Sequence, residues 1–276
     1  MRQQIIDLTQ AALGQFGLRL VRTAEQSADE HEAAKLEVAE QSRFFPVGDP
    51  KPWVVPQDLR EVAQPWARVL VDLYDNDASW PGSIAPEGGL LLQTLVRNIQ
   101  PTVIVETGTF TGVSTIWLAS GLQALGRGHV HTYDLFRMPP REAPAAALFD
   151  TTVRGSVERR IADAGLAESV TLHEGDSASN LVASHEQLRA AGGVQFAFLD
   201  GDHSPEGVLA DLRAVEPVLQ IGGFVVLHDT FPDVCSWDGP RWLVDNLASV
   251  SSATYQVCDL YLAQCNYGLT LLRRIG

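Results

Sequence analysis

From residue 102 onward, short β-branched and apolar runs alternate with stretches of helical length. The runs 102–106 (TVIVE), 129–134 (HVHTYD), 169–173 (SVTLH), 194–200 (VQFAFLD) and 222–228 (GGFVVLH) read as strands. Between most of them, 112–125, 154–165, 178–190 and 205–219 read as helices. Nearly continuous apolar strands separated by helices predict a parallel sheet covered on both faces. A helix near 240–248 and two further strand candidates, 254–258 and 266–273, bring the expected sheet to seven strands. The predicted class is α/β, doubly wound and mostly parallel. Ligands of such sheets bind at the carboxyl ends of the strands, near the point where strand order reverses.

The first 80 residues carry a different pattern. Residues 1–22 predict an amphipathic helix, with Ile5, Ile6, Leu8, Leu13 and Phe16 apolar and Arg19 and Arg22 at its end. Packing against the body or a second copy is the plainer role, and a membrane-surface contact is the alternative. Stretch 24–41 is acidic, either a solvated helix or partly disordered. Pro46, Pro50, Pro52 and Pro56 mark a linker or an extended wrap. Helices are expected at 57–74 and 87–99. The chain therefore divides into an N-terminal helical extension and linker, 1–80, and a main domain, 81–276.

Composition narrows the function. The 276 residues carry a net charge of −14, which repels phosphate backbones and disfavours nucleic acid as a partner. No run reaches the roughly 18 apolar residues of a membrane span. Cys235, Cys258 and Cys265 form no C-x-x-C pair, which argues against a disulfide framework or a thiolate zinc site and fits a reducing cytoplasm.

The strand ends carry the chemistry. The first ends in Glu106, followed by Thr107-Gly108-Thr109-Phe110-Thr111-Gly112-Val113-Ser114. Gly108 permits a tight turn and close backbone approach. Free N–H groups at the start of the next helix suit a carboxylate. A nicotinamide dinucleotide site would present G-x-G-x-x-G here, and that spacing is absent; the acid suits a cationic ligand better than a diphosphate. Asp134 ends the second strand, where an acid can accept two ribose hydroxyls. Gly175-Asp176-Ser177 follows the third and serves equally as a helix cap. Asp200-Gly201-Asp202-His203-Ser204-Pro205-Glu206 follows the fourth, with Ser204 and Pro205 set to start a helix. His228-Asp229-Thr230 ends the fifth. With neighbouring strands about 4.8 Å apart, Asp200 and Asp229 could share one divalent ion.

The segment ETGTFTGVS resembles motif I of the class I S-adenosylmethionine-dependent methyltransferases, in particular the O-methyltransferases related to the catechol and caffeoyl-CoA enzymes. FLDGDHSPEGVLADLRAVEPVLQIGGFVVLHDT (198–230) resembles their bacterial branch with a DGDHSYEG-type motif, many of whose members modify sugars or secondary metabolites. The resemblance covers roughly 85–273. It implies a Rossmann-like seven-stranded sheet and methylation of a hydroxyl on a small molecule. It also implies a cofactor site of Glu106, Gly108, Thr109, Gly112, Ser114, Asp134, Asp176, Ser177 and Asp200, with Asp176 at the adenine amino group. Asp200 and Asp229, with Asp202, would bind Mg²⁺. The family places an Asn after the second acid; Thr230 stands there, which leaves metal dependence open. His203 is the expected general base, because an ordinary imidazole pKa near 6.5 suits proton removal at neutral pH, with Asp202 as alternate. Two other readings remain: a nicotinamide-dependent oxidoreductase, and a non-catalytic S-adenosylmethionine-binding protein. The apolar N-terminal helix is compatible with a homo-oligomer. Loop 135–153 suits a lid or an oligomer contact.

Overall fold

The computed structural model describes residues 53–79, 82–150, 152–260 and 267–276. The expected N-terminal amphipathic helix, the acidic stretch and Cys265 lie outside the described residues.

Seven strands form one sheet: β1 (Val103–Thr107), β2 (His129–Asp134), β3 (Val170–Glu174), β4 (Val194–Leu199), β5 (Leu219–His228), β6 (Tyr255–Leu260) and β7 (Leu269–Arg274). Their order is β3-β2-β1-β4-β5-β7-β6. The first five run parallel, and β7 pairs antiparallel with both β5 and β6. The chain moves outward from β1 to β3 and then returns to β4 on the other side of β1. The order therefore reverses between β1 and β4, which opens a crevice above their carboxyl ends.

The central strands, β1, β4 and the Phe224–Leu227 run of β5, are nearly continuous in apolar residues because both faces are covered. Ile104, Phe196, Phe198 and Val226 point into one core, whereas Val103, Val105, Ala197, Leu199, Val225 and Leu227 point into the other. This is the period of two expected of a pleated strand, with both phases buried. Each fully buried aliphatic side chain contributes about 1.5–3 kcal/mol.

The first core is roofed by α1 (Gln57–Glu61), α2 (Pro65–Tyr74), α3 (Pro86–Ile99), α4 (Val113–Leu125) and α5 (Val153–Asp163). Within it α4 is buried over its first ten residues. Trp117 at its centre donates through Nε1 to the Tyr74 hydroxyl at 2.9 Å, and that hydroxyl donates to the Ile84 carbonyl at 3.0 Å. Helix α3 lies close on α4 because Gly89 has no side chain: a Cβ there would stand 2.0 Å from Trp117 Nε1. Residues 53–79 thus share the core of the sheet domain, with Trp53, Trp66 and Leu70 buried in it. The second core is covered by α6 (Ser177–Ala183), α7 (His185–Ala190), α8 (Pro205–Val215) and α10 (Gly239–Val250), and a short α9 (Pro232–Cys235) leads into α10.

Three expected helices differ in extent, each for a local or long-range reason. The run 57–74 is two helices, because the residue before Pro65 is held extended. The run 178–190 breaks at Ser184, whose hydroxyl donates back to the Asn180 carbonyl at 2.8 Å. Helix α8 stops at Val215 rather than 219, and β5 begins at Leu219. There Arg274 of β7 donates to the carbonyls of Glu216 and Leu219 at 2.8 and 2.6 Å. That partner lies more than fifty residues away, out of reach of local pattern.

Candidate active site

The acids singled out from the sequence lie at the carboxyl ends of β1, β2, β4 and β5 and at the start of α6. Glu106, last but one in β1, is fully buried. Its Oε2 accepts from the Thr115 hydroxyl at the start of α4, and its Oε1 has no hydrogen-bond partner. Burial pushes its pKa up to about 7; hydroxyls of Ser114, Thr115 and Thr132 work against this, and the charge of Asp200 adds to it. The sign of the stability effect follows. A carboxyl whose folded pKa lies above its unfolded value stabilises the fold below the unfolded value and loses that contribution as pH rises through the folded one. Glu106→Gln should therefore gain stability relative to the parent between pH 5 and 8, by up to about 3 kcal/mol. Urea unfolding at the two pH values measures it, and an unchanged difference would remove the buried-acid reading.

The loop after β1 is built by backbone geometry. Gly108 and Gly112 both have φ near +87°, and Phe110 has φ +46°. The need for glycine at 108 comes from the neighbouring strand: a Cβ would lie 2.0 Å from the Asp200 carbonyl oxygen. The loop is tied to β2 three times, first by Gly108 N–H donating to the Tyr133 carbonyl at 3.0 Å. Phe110 N–H donates to Asp134 Oδ2 at 2.9 Å, and the Thr109 and Thr132 hydroxyls lie 2.5 Å apart. Asp134 Oδ1 also accepts from Phe136 N–H at 2.6 Å. Each oxygen of Asp134 thus receives one backbone donor and keeps a further lone pair for a ligand hydroxyl. The segment 135–150 folds back over this region: Arg160 donates to the carbonyls of Thr111 and Leu148, which pins Phe149 against Phe110.

Asp176 caps α6, accepting from Ser179 N–H at 2.9 Å, and this bond holds its carboxyl below the usual range. The capping role foreseen for it is thus present. Ser177 donates to Asp211 of α8 at 2.6 Å. Asp211 was not singled out from the sequence. It is buried, and burial raises its pKa to about 6 against the Ser177 and Thr107 hydroxyls. A signal did exist: Val208, Asp211, Leu212 and Val215 share a helix face, so an acid stood among core positions.

The densest group lies between β4 and β5. His203 Nε2 is 2.8 Å from Asp229 Oδ2 and 3.3 Å from Asp200 Oδ1. His228 Nδ1 is 3.1 Å from Asp200 Oδ1 and 3.2 Å from Asp229 Oδ1. Burial alone would lower the pKa of both rings, but hydrogen bonds and charge from the two carboxylates raise His203 to about 10 and His228 to about 9. For Asp200, burial opposes ionisation, yet the charge of His228 and the bonds from both histidines hold it well below the ordinary range. The two carboxylates therefore favour the protonated form of His203, and a cation bound between them would displace that proton. Trp237 stacks on it with ring centroids 5.3 Å apart. Asp229 sits at φ +56°, a strained backbone that aims its carboxylate into the group. Asp202 does not join. It is exposed, and its Oδ1 accepts from Ser204 N–H at 2.8 Å to shape the turn into α8. Thr230 is buried with its hydroxyl unpartnered. Cys235 is a half-buried thiol, pushed up to about 11 by burial, which disfavours its thiolate.

Residues 105–230 match a family model described as a methyltransferase domain. A catechol O-methyltransferase from Niastella koreensis is 32% identical over 123 residues, 45% of this chain and 48% of that one. A rhamnosyl O-methyltransferase from Mycobacterium bovis is 25% identical over 142 residues, 50% of this chain and 49% of its own. The chain spans about half the length of these curated relatives. Among solved structures, the O-methyltransferase TomG from Streptomyces achromogenes, in complex with SAM, superposes with TM-score 0.54 at 23% identity, covering 88% of this chain and 96% of that one. An O-methyltransferase from Bacillus cereus in complex with SAH gives 0.54 at 20%, covering 87% and 97%. The methyltransferase family match covers residues 105–230, and the strand order and the two superpositions show a Rossmann-like methyltransferase fold. Among the described residues no helix is long and apolar enough to cross a membrane.

Proposed function

We propose that this chain is an S-adenosylmethionine-dependent O-methyltransferase acting on a hydroxyl of a small molecule, of the sugar or secondary-metabolite class. The observation that carries the reading is the convergence of Asp200, His203 and Asp229 beside the Glu106–Asp134 loop, at the crevice where strand order reverses. The relatives named as catechol and rhamnosyl O-methyltransferases support the acceptor class.

S-adenosylmethionine, when bound, supplies a methyl group on a cationic sulfur. In this reading Glu106, with its unpartnered Oε1, lies beside that cation, whose charge would favour the ionised carboxylate. Asp134 receives the ribose hydroxyls on its remaining lone pairs. Gly108, Thr109, Gly112 and Ser114 form the turn against which the cofactor lies, and Asp176 and Ser177 border its base. Alignment of the two reactants is the chief service such a site gives, about 7–11 kcal/mol for well-oriented partners.

The acceptor oxygen is assigned to Asp200, His203 and Asp229. These three also fit a divalent cation: one donor atom from each lies within 4.8 Å of the others. Such an ion would lower the pKa of a bound hydroxyl. Asp202, tied into the turn, positions the loop that carries His203. The net charge of −14 favours a small acceptor over nucleic acid, the cysteine pattern favours the cytoplasm, and a homo-oligomer through the N-terminal segment is carried by sequence pattern alone.

Calorimetry with S-adenosylmethionine, S-adenosylhomocysteine and NADH on folded protein tests the donor, and mass spectrometry of catechol and rhamnoside acceptors tests the transfer. Heat with the two sulfur nucleosides and a mass gain of one methyl group are expected. Heat with NADH alone would replace the reading with an oxidoreductase, and binding without transfer to any hydroxylated acceptor would favour a non-catalytic binding protein.

A further inference from the structure

We propose that the Asp200–His203–Asp229 group is a site for a borderline transition-metal dication, of the iron, cobalt, nickel or zinc class, in preference to Mg²⁺, with His203 Nε2 as a direct ligand. The inference rests on the reading of this group as the acceptor site, but it is tested without donor or acceptor.

Three observations carry it. The first is the donor set. The oxygen donor expected from Asp202 is withdrawn: that side chain is exposed and accepts from Ser204 N–H. Thr230 offers no amide oxygen, and its own hydroxyl is buried without a partner. The third place is filled by imidazole, since one donor atom each of Asp200, His203 and Asp229 lies within 4.8 Å of the others. Imidazole suits zinc, iron, copper and nickel, whereas carboxylate, carbonyl and water suit magnesium.

The second is spacing. Nε2 of His203 stands 2.8 Å from Asp229 Oδ2 and 3.3 Å from Asp200 Oδ1. An ion with bonds of about 2.1 Å, magnesium included, holds adjacent ligands about 3.0 Å apart, whereas calcium, at about 2.4 Å, would spread them to about 3.4 Å; the spacing sets the size of the ion and the imidazole sets its class. The third is an unsatisfied atom inside the group: Asp229 Oδ1, on a side chain more than nine-tenths buried, has no hydrogen-bond partner although His228 Nδ1 is 3.2 Å away.

The imidazole is also held in place. Its main-chain carbonyl accepts from Gly239 N–H at 3.1 Å, where a Cβ on Gly239 would come within 2.2 Å of the same oxygen. The following Ser204 caps α8 through Gly207 N–H at 3.0 Å. Trp237 lies nearly parallel to the ring, at 24°. Rigid support of this kind fixes a ligand's orientation.

The experiment uses tag-free full-length protein and the metals alone. Pulsed electron paramagnetic resonance of Mn²⁺-loaded protein reads nitrogen coupling directly, and competition titrations compare Co²⁺ with Mg²⁺. Expected are a ¹⁴N coupling that vanishes in His203→Ala and persists in His228→Gln, and Co²⁺ binding at least about tenfold tighter than Mg²⁺. His203→Asp, an all-oxygen set, should bring the two ions within about threefold. Far-ultraviolet circular dichroism confirms folding of each variant, and His203→Gln replaces His203→Ala should that variant not fold. Bound Mn²⁺ without nitrogen coupling, coupling lost only in His228→Gln, equal Mg²⁺ and Co²⁺ affinity, or no saturable binding of any ion would each overturn the proposal. Calorimetry with S-adenosylmethionine on the same samples separates this outcome from the function reading: nucleoside binding without imidazole ligation overturns only the metal site, and the converse overturns only the methyltransferase.

Discussion

Asp200→Asn and Asp229→Asn are each expected to lower turnover by about 10³-fold, roughly 4 kcal/mol of barrier, while the protein remains folded. Both histidines reach both acids, and at Asp200 they meet a single oxygen: its Oδ1 is 3.3 Å from His203 Nε2 and 3.1 Å from His228 Nδ1. An amide of the same shape keeps the packing and removes the charge. Neither imidazole then has its full counterion, and the acceptor oxygen meets a changed field. The same change is visible without any acceptor. The pKa values of about 10 for His203 and about 9 for His228 owe their rise to the two carboxylates, so in Asp200→Asn both should fall toward the ordinary value, as ¹⁵N imidazole shifts would show.

The sign of the stability effect is fixed by the same linkage. A histidine raised in the folded state stabilises below its unfolded pKa and loses that contribution as pH climbs through the folded one, whereas Asp200, held low, stabilises above its unfolded pKa and loses it as pH falls. The parent's advantage over Asp200→Asn should therefore be greatest from about pH 4 to 6.5 and fade through about pH 9–10. Turnover within threefold of the parent for both variants, with unchanged imidazole shifts, would remove the quartet from the chemistry.

Gly108→Val is expected to destabilise the domain by about 4 kcal/mol or more, a large part of the 5–15 kcal/mol typical of a folded domain. Two effects add. The residue sits at φ +87°, which a β-branched side chain tolerates poorly. Its Cβ would also lie 2.0 Å from the Asp200 carbonyl oxygen and 2.5 Å from the carbonyl carbon. The obstruction is backbone at the end of a central strand, so neither side can yield without opening the β1–β4 contact. Gly126→Ala is the comparison. That residue also has positive φ, at +66°, but its Cβ would meet nothing within 4 Å, so strain alone should cost about 1 kcal/mol. Urea unfolding of both variants measures the contrast. Equal losses would mean that the close approach of the two strand ends has been misread.

Much of this architecture was legible in the chain itself. The central parallel strands announce themselves because a strand covered on both faces must be apolar at nearly every position; Val103-Ile104-Val105 and Phe196-Ala197-Phe198 allow little else. Glu106, Asp134, Asp200 and Asp229 were legible because an acid that closes such a run breaks the apolar pattern abruptly. Local order could not supply the sharing of protons. His203 looked like an ordinary imidazole until the β4–β5 pairing set Asp229 beside Asp200. Asp202, three residues before a helix-starting proline, looked equivalent to Asp200 until the turn claimed its carboxylate.

What the sequence alone determined was the alternation of elements and the identity of the groups at the strand ends, because burial and backbone propensity act over a few neighbouring residues. Tertiary structure alone decided which of those groups face one another. Asp211 joins Ser177, Arg274 ends α8, and two histidines close on two carboxylates. Charge, desolvation and hydrogen bonding act through space, and separations of 28 residues and more in the chain become about 3 Å only once the sheet has formed.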